Sequence, residues 1–161
     1  MFMGTSNLTL DSKHRMAMPA RYRERIKEES GGQMVVTAAP PVFQGGRMLE
    51  EDPTLWLYTA ARWKDVADGV MQMSTAQQIG RLMQELFLGE AEEVSLDAGG
   101  RVLLPARLRD KAGIEKSIVL SGVGEKFTIK SEQSWQASQG WAALEEVASE
   151  QVVEQLERLS L

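Results

Sequence analysis

Leu10–Arg23 reads LDSKHRMAMPARYR, and a shift of 86 residues lays it on Leu96–Arg109, LDAGGRVLLPARLR. Seven of the fourteen aligned positions are identical: Leu, Asp, Arg, Pro, Ala, Arg and Arg. Agreement of this density within one chain marks an internal duplication, and a repeat constrains the architecture before any local reading does. In each copy a short alternating segment, SNLTLD (6–11) or EEVSLD (92–97), has the period of a half-buried strand that ends at the Asp. After the tight SKHR or AGGR connection, RMAMP and RVLLP read as a returning strand, so each copy is expected to open with a β-hairpin. Pro19 and Pro105 suit the first turn of a helix, where a missing N–H is harmless, and Gly31 and Gly113 suit the ends of those helices.

Working outward, GQMVVTAAP (32–40) and KSIVLSGVGEKFTIKS (116–131) continue the copies as strands, the second with a Gly turn and a return strand. The counterpart return strand in the first copy is PTLWLYTA (53–60), after a Pro/Gly-rich loop, PPVFQGGRMLEED, that reads equally as a lid, an oligomer contact or plain variation. Trp63 and Trp135 follow the two return strands at similar distances. STAQQIGRLMQELFLG (74–89) joins the halves as a helix capped by Ser74, with Ile79, Leu82, Met83, Leu86 and Phe87 as one apolar stripe and Gly89 at its end. The final segment is expected to form one amphipathic helix with Trp141, Leu144, Val147, Ala148, Val152, Leu156 and Leu159 mostly on one face.

These elements divide the chain into a first repeat (1–72), a linking helix (73–89), a second repeat (90–137) and a C-terminal helix (138–161). A half of this size is marginal on its own. The fold class is therefore α+β, with the halves related by a pseudo-twofold axis, sharing one sheet or barrel and bringing the two Asp-to-Arg connections together.

Composition narrows the function. With 43% apolar and 25% charged residues the chain has the balance of a folded globular protein. No apolar run has the length of a membrane span and no signal peptide is apparent, so a cytoplasmic location is expected. The absence of cysteine and the single histidine, His14, argue against zinc, haem and thiolate chemistry, so no metal or cofactor is expected. The net charge of -5 hides a strong asymmetry. Between Asp11 and Lys27, six bases (Lys13, Arg15, Arg21, Arg23, Arg25, Lys27) face two acids, a net +4; between Glu145 and Leu161, five glutamates face Arg158 alone, a net -4.

Three chemistries compete for the turns. Asp11 beside Asp97 would be a carboxylate pair able to share a proton, but each has fixed bases two to four residues away that favour the ionised form. The simpler role for Asp11 and Asp97 is to structure the turn by bonding its N–H groups and pairing with Arg15 and Arg101. Ser12 and His14 lack the orienting acid of a nucleophilic triad, and GVGEKF (122–127) lacks the third glycine and following helix of a dinucleotide loop. No catalytic residue is assigned. A turn carrying Lys13, His14 and Arg15 on a short arm can instead reach an anion, and Arg can read the O6 and N7 edge of guanine. Arg21 and Arg107 are equally suited to phosphate contact or to bridging acids, and the acidic C-terminal helix reads as a packing and solubility element.

In combination, the two Asp-x-x-x-Arg turns, MPARYRE, LFLGEAEEVSLD, GRVLLPARLR, AGIEK and VGEKF resemble the MraZ family of bacterial transcriptional regulators. The resemblance covers nearly the whole chain except the loop around Pro40 to Pro53 and the last helix. It implies two tandem AbrB-like swapped-hairpin halves forming one pseudodimeric unit, assembly of units into a ring, and no enzymatic activity. It further implies repression at short direct repeats in double-stranded DNA upstream of a cell-division and cell-wall gene cluster that includes the regulator's own gene, in the nucleoid. By position, Asp11–Arg15 and Asp97–Arg101 would face DNA, with Lys13, Arg15 and Arg101 as contacting bases. The family pattern has glycine where this chain has His14, as the second copy retains at Gly100, which implies a positive φ at both positions. Gly99 replaces Lys13 in the second turn, so the two turns cannot contact DNA equally. The competing class is an oligomeric scaffold that binds acidic protein partners through the same patch.

Overall fold

The computed structural model describes residues 1–49, 53–159 and 161. The first half runs through β1 (Phe2–Thr9), β2 (Arg15–Ala17), α1 (Ala20–Ser30), β3 (Gln33–Ala38), β4 (Phe43–Gln44), β5 (Arg47–Met48), β6 (Leu55–Thr59) and α2 (Ala60–Met71). A short helix, α3 (Gln78–Leu82), passes directly into a π-helical turn (Met83–Leu88). The second half runs through β7 (Glu92–Ser95), β8 (Arg101–Leu103), α4 (Ala106–Lys111), β9 (Ser117–Gly124), β10 (Phe127–Ser131) and α5 (Glu132–Ala137). A 3-10 helix (Gly140–Glu146) and α6 (Ser149–Arg158) follow.

Six strands form one antiparallel sheet in the order β1-β9-β10-β6-β3-β7, and β2 pairs with β8 in a separate two-stranded ribbon. Exchanging each strand for its counterpart in the other copy returns the same order, so the pseudo-twofold axis passes between β6 and β10 and between β2 and β8. The first strand of each half pairs in the other half's sheet: Thr9 lies opposite Ser117 in β9, and Ser95 lies opposite Gln33 in β3. Matching bonds extend both pairings, from Leu10 N–H to the Lys116 carbonyl and from Leu96 N–H to the Gly32 carbonyl, each 2.8 Å.

This corrects the expected hairpins. The turns close as hairpin tips do, but β1 and β2 do not pair along their lengths. Period-two alternation specifies which face of a strand is buried and says nothing about its neighbour. The two halves consequently share a core: Phe2, Met16, Met18, Ile26, Leu55 and Leu57 pack with Val102, Leu104, Leu108, Ile118, Leu120 and Phe127. Within it Tyr22 meets Phe2 and Phe127 edge-on, and the Phe2 and Phe127 rings are tilted with centroids 4.3 Å apart. Cutting the chain between the repeats would expose both sides of this cluster.

Three local expectations also change. Pro19 and Pro105 occupy the N-cap position, one residue before the first helical residue. Ser74 forms a turn through the N–H of Ala76, while the N-cap of α3 is Gln77. The wider π turn moves the linking segment's side chains out of one stripe: Phe87 is buried and Met83 packs against it with Tyr58, Val70 and Trp63, whereas Ile79, Leu82 and Leu86 are exposed. Trp63 thus belongs to a second, smaller core, and its counterpart Trp135 is 40% exposed.

The final segment is not one helix. It breaks at Val147–Ala148, and of the expected face Trp141, Leu144, Leu156 and Leu159 are exposed while Val147 and Val152 are half-buried. Residues 43–48 of the Pro/Gly-rich loop form a tiny hairpin turning at Gly45–Gly46, both with positive φ; its end at 50–52 lies outside the described residues. Among the described residues no helix is long and apolar enough to cross a membrane.

Candidate nucleic-acid interface

Both turns are built by their Asp. Asp11 N–H donates to the Arg15 carbonyl, His14 N–H returns to the Asp11 carbonyl, and the Asp11 Oδ1 accepts from the N–H groups of Lys13 and Arg15 at 2.9 Å each. The second turn repeats the pattern: Asp97 N–H to the Arg101 carbonyl, Gly100 N–H to the Asp97 carbonyl, and Arg101 N–H to Asp97 Oδ1 at 2.8 Å. The turn requires left-handed backbone at its fourth residue, with φ 77° at Gly100 and φ 62° at His14, the one non-glycine positive φ among the described residues. His14 therefore adopts the conformation expected of the glycine it replaces.

From these turns β2 and β8 leave as an antiparallel ribbon in which Arg15 faces Leu103, Met16 faces Val102 and Ala17 faces Arg101. Alternation buries Met16 and Val102 completely and leaves Arg15, Ala17, Arg101 and Leu103 on the outer face. The two guanidinium groups are thus brought onto one surface from positions 86 residues apart, with a turn at either end of the ribbon.

Asp11 and Asp97 do come together, within a four-membered cluster of alternating charge. Arg15 Nε donates to Asp11 Oδ2 at 2.7 Å while its Nη1 lies 3.8 Å from Asp97 Oδ2. Arg101 reciprocates, with Nη1 3.7 Å from Asp11 Oδ2 and Nε 3.5 Å from Asp97 Oδ2. The arrangement is unequal: Arg101 Nε is buried without an aligned hydrogen-bond partner, and the side chain is 41% exposed against 25% for Arg15.

The Arg15 N–H is the main cause holding the Asp11 carboxyl below the ordinary range, helped by the Arg15 side chain and the Lys13 N–H and opposed by desolvation. Asp97 is lowered chiefly by the Arg101 N–H, helped by the Arg101 charge, the Gly99 N–H and the Arg15 charge across the axis, again against desolvation. A pair that shares a proton needs one carboxyl raised. Both are lowered here, so the geometry is that of a structural ion cluster.

The remaining predicted residues scatter. Lys13 and His14 project from the first turn and are exposed, and no carboxylate lies within ion-pair distance of Lys13 among the described residues. Arg21 donates to the Ser6 hydroxyl at 3.0 Å and lies over the Tyr22 ring. Arg107 pairs with Glu90 at 3.2 Å and donates to the Gly89 carbonyl. Arg23 and Arg109 carry no site assignment from the sequence. Both are half-buried, and their Nε atoms donate to the carbonyls of Met18 and Leu104 at 2.7 and 2.9 Å. Their identity in the two copies was the available signal.

A family model described as "MraZ protein, putative antitoxin-like" matches residues 1–43 and 87–159. The chain is 38% identical over 161 residues to a protein of Thioalkalivibrio sulfidiphilus, spanning all of both chains. It is 39% identical over 137 residues to one of Stenotrophomonas maltophilia, covering 85% of this chain and 86% of the relative. It is 35% identical over the full length of both chains to one of Legionella pneumophila strain Corby. All three relatives bear the name transcriptional regulator MraZ. With the duplicated turns, the strand order and these matches together, the chain belongs to the MraZ family.

Proposed function

We propose that this transcriptional regulator binds double-stranded DNA in a sequence-specific way through the β2–β8 ribbon and its two turns. The observation that carries the reading is the pair of guanidinium groups, Arg15 and Arg101, held on the outer face of a two-stranded ribbon by Asp11 and Asp97. A two-stranded β element fits the major groove, where Arg can donate two parallel bonds to guanine. Each guanidinium keeps N–H groups beyond those that face the carboxylates, so it can stay paired and still read a base edge. Lys13, on the exposed first turn, supplies phosphate contact, and His14 lies beside it. Arg21 and Arg107 stand outside this contact set, on Ser6 and Glu90, as structural bridges.

In this account the halves, residues 1–72 and 90–137, form the AbrB-type swapped-hairpin unit, with 73–89 as the link and 138–161 as a separate C-terminal element. The exchange of β1 and β7 between halves supports that reading. Units assemble into a ring whose ribbons meet short direct repeats upstream of a division and cell-wall gene cluster, including the protein's own gene, and repress it in the nucleoid. The ring explains how an acidic chain binds DNA: cationic turns need occupy only one face, and several weak contacts linked at matched spacing raise total affinity.

The test is titration of wild type, Arg15→Ala and Arg101→Ala against duplexes carrying tandem or shuffled repeats. The proposal expects wild type to prefer the tandem repeats and each variant to lose about 1–3 kcal/mol of that preference. No preference in wild type, or full preference in both variants, overturns it. Failure to bind any duplex at low salt would favour a scaffold for acidic proteins.

A further inference from the structure

We infer that Arg23 is a positioning residue for the other half's turn, and that a side chain at Gly100 would displace it, because the Arg23 guanidinium lies where a Cβ would stand. The consequence for DNA rests on the function proposed above; the contact itself does not. Arg23 projects from α1, its Nε donates to the Met18 carbonyl at 2.7 Å, and the Met18 N–H donates across the axis to the Gly100 carbonyl at 2.9 Å. A Cβ at Gly100 would stand 2.5 Å from Arg23 Cζ and Nε and 2.8 Å from Nη1. Those distances are inside any tolerable contact, so the guanidinium or the turn would have to move.

The other turn provides an internal comparison. Arg109 Nε donates to the Leu104 carbonyl at 2.9 Å, and Leu104 N–H donates to the His14 carbonyl at 3.2 Å. Both bonds are longer than their counterparts. His14 carries a Cβ at φ 62°, so left-handed backbone at this turn position tolerates a side chain. At Gly100 a Cβ would meet the strain of the positive φ and, in addition, the Arg23 guanidinium where it now lies. The turns are therefore unlike in kind: the first carries Lys13 and His14, while the second is a bare Ala98-Gly99-Gly100 backed by Arg23. Arg101 leaves that second turn with long ion pairs to Asp97 and Asp11 and no aligned hydrogen bond at Nε, so its aim depends also on the backbone that Arg23 supports. Arg23 acts on recognition through Arg101 and does not itself meet phosphate.

The experiment compares Gly100→Ala, Arg23→Ala and the double variant with wild type. Amide hydrogen exchange at Met18 is measured without DNA, and binding to tandem and shuffled duplexes is measured over a salt series. His14→Ala joins the exchange arm only, as an alanine at the same place in the turn that already accommodates a Cβ. Gly100→Ala is expected to speed Met18 exchange about tenfold, while His14→Ala leaves Leu104 exchange as in wild type. Gly100→Ala and Arg23→Ala each lower discrimination about tenfold with the salt slope unchanged. The double variant loses less than the two single losses combined, because the Cβ then has room and only its positive-φ strain remains.

Additive losses in the double variant, or wild-type exchange in Gly100→Ala, overturn the inference. So does a slope reduced by about one in Arg23→Ala, which would make Arg23 a phosphate contact. A wild type that binds no duplex defeats the functional reading alone, and exchange still decides the Arg23–Gly100 coupling.

Discussion

The salt dependence of DNA binding reports how many ribbon cations are free to neutralise phosphate. Arg15 and Arg101 face Asp11 and Asp97 in a cluster of balanced charge, and Lys13 is the exposed base of the turns without a carboxylate partner among the described residues. If the arginines keep their carboxylates and donate their remaining N–H groups to bases, each bound chain neutralises one phosphate. The slope of log affinity against log salt is then about -0.9 per chain, a loss of about 3.5-fold between 50 and 200 mM salt. If both arginines instead leave the cluster for phosphates, three cations act, the slope is about -2.7, and the loss is about 40-fold. Fluorescence anisotropy with a labelled duplex, divided by the number of chains bound, separates these values. Lys13→Ala should nearly flatten the slope, whereas Arg15→Ala and Arg101→Ala should mainly reduce discrimination. A slope near -2.7 per chain, or an unchanged slope in Lys13→Ala, would refute the reasoning.

The lowered carboxyls of Asp11 and Asp97 predict a pH response: their contribution is complete above the ordinary carboxylate range and is lost as pH falls through the depressed values. Thermal stability should therefore hold from neutral pH down to about pH 5 and fall only below about pH 4, with a shallower fall in Asp97→Asn; loss already at pH 6 would contradict the cluster. Thr37 is fully buried and donates to the Phe87 carbonyl at 2.7 Å, tying the linking segment to the sheet. Thr37→Val leaves that carbonyl unsatisfied and should cost about 1–3 kcal/mol in denaturant unfolding; no change would mean the carbonyl finds another donor. Met16 lies wholly buried beneath the ribbon, and Met16→Ala should cost about 2–5 kcal/mol, read the same way.

The duplication carried much of the architecture because identity at matched positions transmits symmetry directly. It implied that Asp11 and Asp97 would meet, and the positive φ at His14 followed from its glycine counterpart. Partner choice was not legible. The alternation in SNLTLD and EEVSLD marks a buried face, yet only the tertiary fold decides that β1 joins β9 and β7 joins β3. The linking stripe failed because a π turn changes the angular spacing that a 3.6-residue period assumes. The C-terminal pattern passed through Val147–Ala148 without a breaker to signal the interruption. At the site, Asp11 and Asp97 were readable from local turn chemistry, whereas Arg23 acts on a residue of the other half and had only its repetition to mark it.

The chain contains no cysteine, so a single introduced thiol can carry a DNA-cleaving iron chelate to one chosen position. Ser12→Cys and Ala98→Cys place it on the two exposed turns, and Glu154→Cys places it on α6. The account predicts localised cleavage of a tandem-repeat duplex from positions 12 and 98, recurring with the repeat spacing, and none localised from 154. Cleavage focused from 154, or labelled turns that leave the bound duplex uncut, would contradict the claim that the β2–β8 ribbon is the surface that meets DNA.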